Sequence, residues 1–361
     1  MGILRTILAI AVLVFHSSKI FGLRMAGGQV AVQTFYMISG FYMALILNEK
    51  YTGQGNYRLF MRNRLWRIYP VYWILLAAAL LVSLIGYYGF NSPCYLARYI
   101  SYAGCLGPFA ILYFVLENVI LVGQDILLFL GIDAQCHVFL TRYPFSQPQT
   151  GFSYLLVPQA WSISLELMFY AIAPFIVRRR WVWQLALVVA SLGLRIYWVQ
   201  GLHLSFAPWT YRFFPLELAF FVAGSLAYVC YRALADRDVS DKIGYALTAL
   251  CVLGVIFYND IGPDPGFKKW LYYGLVWLSL PFIFRAFKQN RTDRWIGELS
   301  FALYISHHLV VMALRSLFLA HPQYMEYYGC ATLLISLVIA ILLNKWVVEP
   351  LNRRREKWSL G

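Results

Sequence analysis

Residues 5–16 read Arg5-Thr6-Ile7-Leu8-Ala9-Ile10-Ala11-Val12-Leu13-Val14-Phe15-His16, and the reading of this run decides the fold. A cleavable export signal has a short apolar stretch followed by a small-residue cleavage site, whereas this segment runs on to Ile20 and carries Arg5 and His16. It is therefore read as a retained membrane span. On a helix, Arg5 and His16 lie almost three turns apart on one side, separated by about 16 Å along the axis. An ionisable side chain is tolerated in a bilayer where it faces protein or a water-filled cavity, so this helix requires other helices around it. The imidazole exchanges a proton near neutral pH, which makes His16 the first candidate for chemistry.

The rest of the chain supplies those helices. Of 361 residues, 61% are hydrophobic and 13% charged, with a mean hydropathy of +0.63, which excludes an ordinary soluble domain. Apolar stretches long enough to cross occur near 4–22, 30–48, 69–89, 157–177, 181–199, 211–231, 242–259, 269–286, 298–319 and 326–348. The fold class is all-α: a polytopic integral membrane protein of about ten transmembrane helices, in a single domain spanning 1–361. Lys and Arg number 30 against 16 Asp and Glu, and in such a protein the excess reports orientation and gives no sign of a nucleic-acid partner. Basic clusters at Arg58–Arg67, Arg178–Arg180, Arg232–Lys242, Arg285–Arg294 and Arg353–Lys357 follow every second span, which places both termini in the cytoplasm.

A further apolar stretch, Phe109–Leu130, would invert every later cluster if it crossed once. Its Glu117, Asn118, Gln124 and Asp125 suit a re-entrant or interfacial element. The six cysteines are too scattered for a disulfide scaffold, but Cys94, Cys105 and Cys136 share a non-spanning region where one bridge can form.

Four polar groupings interrupt the apolar helices. Ser39 and Gly40 form a small patch that serves either close helix packing or a lining role. Arg62, Arg64 and Arg67 precede Ile68-Tyr69-Pro70; they are either topology anchors or, through the guanidinium fork, phosphate ligands. Trp161-Ser162-Ile163-Ser164-Leu165-Glu166 enters a span with an acid, which answers either the helix dipole or a functional interior. Ser300-Phe301-Ala302-Leu303-Tyr304-Ile305-Ser306-His307-His308 places Tyr304 near His307 and His308, with His308 read as a packing residue. There is no glycine-rich phosphate loop, metal-ligand spacing or nucleophile elbow, so no metal is expected.

Together these segments resemble acyltransferase family 3, the multispanning O-acyltransferases of cell-envelope polysaccharides and some small molecules. The likeness runs from Arg5 to the basic tail and rests on the order of five motifs: Arg and His in the first span, Ser-Gly-Phe, Arg-x-x-Arg-Ile-x-Pro, Trp-Ser-x-Ser-x-Glu and Ser-x-x-Leu-Tyr-x-x-His. Leu167 stands where many members have a second acid, and His307-His308-Leu309 replaces His-Trp-Pro, so His307 is the matching position. The fused hydrolase-like domain of some members is not read here.

The resemblance implies a bacterial inner-membrane enzyme that takes acetyl-CoA from the cytoplasm. The acceptor it implies is a hydroxyl of a cell-surface polysaccharide, such as a lipopolysaccharide O-antigen, or of its lipid-linked precursor. In that reading His16 accepts the hydroxyl proton, Glu166 or Tyr304 orients it, and His307 joins the catalytic set. Arg62, Arg64 and Arg67 meet the donor phosphates, Arg5 either joins them or stabilises developing negative charge, and Ser39, Trp161 and Ser164 lie toward the acceptor. Direct transfer and an acyl-histidine relay both fit. A small-molecule acceptor such as an antibiotic is the alternative, and a proton-coupled secondary transporter is the rival class.

Overall fold

The computed structural model describes residues 1–361 except 54, 55, 91, 93, 263–265 and 359–361. In chain order its helices are α1 (Gly2–His16), α2 (Gly28–Glu49), α3 (Asn56–Phe90), α4 (Ala97–Tyr102), α5 (Pro108–Ile120), α6 (Trp161–Ile176), α7 (Trp181–Ile196), α8 (Trp209–Arg212), α9 (Phe214–Ala233), α10 (Asp241–Ile256), α11 (Lys268–Phe287), α12 (Arg291–Ala320), α13 (Tyr328–Leu343) and α14 (Glu349–Trp358). A helix stands at each of the ten expected positions, and the chain is an all-α polytopic membrane protein.

Eight of the ten, among the described residues, are long and apolar enough to cross a bilayer; α1 and α10, with 15 and 16 residues, are not. At 1.5 Å per residue these two span about 24 Å or less, against a hydrocarbon core of about 30 Å. For α1 the cause is local. Ser17 returns both its N–H and its hydroxyl to the Leu13 carbonyl, each at 2.9 Å. Phe21 and Gly22 then take positive φ, and Ile20 pairs with Leu23 across the turn. His16 is thus the last residue of a short helix; the sequence had placed it within a longer one.

Two compact units are formed. The first comprises Met1–Arg67, Phe169–Leu192 and Glu217–Gly361. Helix α1 packs there against α12, α2, α10 and α13, burying Leu4, Leu8, Ala9, Ala11 and Leu13 completely. A helix that is apolar on every side between Ile7 and Phe15 belongs at such a centre. Its N-terminus is fixed by Asp293 of α12, whose carboxylate accepts from the Met1 amine at 2.7 Å, Gly2 N at 2.8 Å and Ile3 N at 2.9 Å. Asn290 in turn caps α12 by accepting from Asp293 N at 3.0 Å. Asp293→Ala leaves these donors buried without an acceptor, so it is expected to lower unfolding stability by about 2 kcal/mol or more, read as a fall in Tm of the detergent-solubilised protein.

Helices α2 and α9 cross on paired glycines. A Cβ on Gly40 would lie 1.8 Å from the Phe221 carbonyl oxygen, and one on Gly224 1.8 Å from that of Met37. Gly40 therefore serves close packing. Nearby, fully buried Glu217 accepts from Gln33 Nε2 at 2.9 Å on both oxygens, and Tyr273 donates to Gln33 Oε1 at 2.5 Å, which links α2, α9 and α11 through one polar knot.

The second unit comprises Ile68–Met168 and Gly193–Leu216. Phe109–Leu130 does not form one span here. Helix α5 has only 13 residues, stops where Leu121 and Gly123 take positive φ, and gives way to a 3₁₀ turn and strand β1 (Leu130–Ile132). Its last carbonyls would be orphaned in an apolar setting. Side chains of α3 satisfy them: Tyr69 donates to Ile120 O, Tyr72 to Asn118 O at 2.5 Å, and Trp73 Nε1 to Val119 O at 3.1 Å. Asn118 is itself fully bonded, donating to Tyr154 O and Phe114 O and accepting from Leu156 N. Strand β1 pairs antiparallel with β2 (Val138–Leu140) and β3 (Gln149–Thr150). The open cysteine question resolves into a Cys105–Cys136 disulfide, which ties the start of α5 to this hairpin and leaves Cys94 free.

Candidate active site

Helix α1 carries polar groups at its two ends. Near its start, Arg5 belongs to a charged group around Tyr42 of α2, which lies in the field of Arg5, Asp293, Arg67 and Arg294. Arg64, one turn before Arg67, is buried with its guanidinium 5.9 Å from the Phe60 ring centroid and hydrogen-bonded to Tyr51. Its Nε has no hydrogen-bond partner, and no carboxylate pairs with it among the described residues. A buried cation without a counter-charge is costly, so this position suits an anion brought from outside. Arg67 is half-buried and Arg62 exposed.

The other end of α1 carries His16, exposed on one side. Its ring meets that of His307 at a centroid distance of 5.3 Å and that of His308 at 5.7 Å. His307 is fully buried, and its Nδ1 lies 2.5 Å from the Tyr304 carbonyl. A carbonyl only accepts, so Nδ1 carries a proton and donates it to Tyr304. The His307 Nε2 has no partner among the described residues. Tyr304 thus acts on His307 through its main chain, while its ring stands 5.8 Å from His307 and 5.9 Å from Phe35. Chemically the group is an accessible imidazole backed by a second, fully buried one. Among the described residues no set of His, Cys, Asp or Glu has metal-binding geometry.

Ser39 Oγ lies 3.5 Å from the Tyr170 hydroxyl in the same unit. The remaining sequence candidates, Trp161, Ser164 and Glu166, belong to the second unit. The Ser164 hydroxyl donates to Asp125 Oδ1 at 2.8 Å and accepts from Gly123 N at 3.0 Å, so it holds the turn after α5. Burial pushes the Asp125 carboxyl up, and the Ser164 hydrogen bond opposes this. Trp161 packs edge-on to Tyr211 at 5.0 Å and under the Arg212 guanidinium at 4.8 Å. Glu166 is half-buried on the same helix.

The family model for an acyltransferase domain, acyltransferase family 3, matches residues 1–345 of the 361. The chain belongs to acyltransferase family 3. No curated protein and no solved structure matches it significantly. As a member of acyltransferase family 3 it is a membrane-embedded acyltransferase. The sequence reading missed Tyr42, Arg294 and the approach of His308. Arg294 lies in a basic cluster that had been read for orientation alone, and only the packing of α1 on α12 brings it toward Arg5.

Proposed function

We propose that this member of acyltransferase family 3 transfers an acetyl group from cytoplasmic acetyl-CoA to a hydroxyl of an envelope polysaccharide or its lipid-linked precursor. The observation that carries the reading is the polarity of α1, with Arg5 at one end, where Arg67 and Arg294 share with it the surroundings of Tyr42, and the accessible His16 imidazole at the other. In the proposed step the acceptor hydroxyl attacks the thioester carbonyl, forming the ester C–O bond as the C–S bond breaks. His16 takes the hydroxyl proton and returns it to the departing CoA thiolate. A positioned general base of this kind contributes about 10²- to 10⁴-fold in rate. Arg64 and Arg67, with Arg5 and the more exposed Arg62, hold donor phosphates by charge-assisted hydrogen bonds. No metal is assigned a role. Mass spectrometry of envelope glycans from matched deletion and complemented strains tests the acceptor class: acetyl esters lost and regained support a glycan, and an unchanged glycan profile points to a small-molecule acceptor.

The proposed orientation keeps both termini in the cytoplasm of an inner membrane. The alternation of basic clusters supports it, and so does the Cys105–Cys136 disulfide, which persists in an oxidising compartment. In intact cells a membrane-impermeant maleimide is expected to label Gln135→Cys and spare Arg179→Cys, both at exposed positions. Labelling of Arg179→Cys from outside inverts the topology.

A further inference from the structure

Consecutive residues on a helix point about 100° apart and do not ordinarily meet the same neighbour. Yet His307 and His308 of α12 both bring their rings to His16, at 5.3 and 5.7 Å. The end of α1 therefore sits in the fork between them. Phe15 adds a third ring at 5.1 Å, edge-on at 79°. The two histidines meet His16 differently. His307 lies tilted at 31°, while His308 stands edge-on at 75°, the geometry that aromatic rings adopt when they fix each other's orientation. His16 is the last residue of α1, next to a turn and exposed on one side, so its ring orientation is set by what it meets there.

We propose that His308 is a positioning residue for the transfer: its ring edge holds the His16 imidazole at the angle needed to receive the acceptor's proton. The role is carried by the ring and not by the basicity of His308. It rests on the assignment of His16 as proton acceptor, and it replaces the reading of His308 as a mere packing residue.

The test uses full-length protein in membranes, following transfer of labelled acetyl from acetyl-CoA into the glycan and lipid fraction. His308→Ala and His308→Asn, which lack a six-membered or imidazole ring, are expected to lower kcat about 10- to 100-fold with the acetyl-CoA KM unchanged, the usual cost of a catalytic group displaced by about 1 Å. His308→Phe, which restores a ring edge without a titratable nitrogen, is expected to recover most of the lost kcat. Wild-type turnover by His308→Ala or His308→Asn overturns the proposal. So does a His308→Phe protein that retains its Tm yet transfers no faster than His308→Asn. His16→Gln in the same series separates the two readings: if it is active, the base assignment fails; if it is inactive while His308→Asn works normally, only the positioning role fails.

Discussion

Membranes carrying His16→Ala are expected to transfer acetyl groups about 10²- to 10⁴-fold more slowly than wild type, with the protein still inserted and folded. The expectation follows from where the side chain lies. The cohesion of α1 comes from Leu4, Leu8 and Leu13, all fully buried, and from the Asp293 cap at its other end. His16 is exposed on one side and at the helix terminus, a position where truncation ordinarily shifts stability by about 0.5 kcal/mol. His307→Ala is a contrasting case, since removing a fully buried ring opens a cavity as well as deleting the imidazole that meets His16, so Tm and turnover fall together. Measuring transfer and Tm on the same preparations separates the two histidines.

The second large effect concerns the donor. Arg64→Ala is expected to weaken acetyl-CoA binding about 10- to 150-fold, the equivalent of about 1.5–3 kcal/mol for one lost charge-assisted hydrogen-bonding group. Without donor, the same substitution is expected to leave Tm unchanged or raise it, because it removes a buried guanidinium that has no carboxylate partner among the described residues. An arginine kept for structure gives the opposite sign, with a lowered Tm and an unchanged Kd. Arg64→Lys is expected to recover binding only in part, since an ammonium cannot form the two-pronged contact. Arg67, half-buried, is expected to show the same direction with a smaller change. Isothermal titration with acetyl-CoA and thermal unfolding in its presence and absence give both quantities.

Much of this was legible in the order of residues. Hydropathy located ten helices because a bilayer-embedded chain must satisfy its backbone internally, and each apolar run has little choice but to coil. The polar residues of Phe109–Leu130 rightly argued against one long span. What stopped α5 at Ile120 was not legible, since its carbonyls are capped by Tyr69, Tyr72 and Trp73, some 46 to 51 positions earlier. Asp293 likewise reaches α1 across 290 positions or more. The short length of α1 was written locally, in Ser17 and Gly22, but an apolar continuation to Ile20 masks it in a hydropathy reading. Within the site, His16, His307, Arg5 and Arg64 stood out because ionisable groups are rare in apolar helices. Ser164 stood out through the Trp-Ser-x-Ser-x-Glu motif, yet its hydroxyl is occupied by Asp125 and Gly123. Glu217 was overlooked among the aromatics of its span, although it is fully buried against Gln33. The convergence of two successive histidines on one ring depends on how α12 crosses the end of α1, which no local pattern encodes.

The most direct test of His16 as the proton acceptor is transfer by His16→Gln, measured beside acetyl-CoA affinity on the same purified protein. Glutamine keeps hydrogen-bonding capacity at that position but cannot take up a proton near neutral pH. The expected result is a rate close to that of His16→Ala with an unchanged Kd for the donor. Transfer at near the wild-type rate by His16→Gln contradicts a proton-accepting His16.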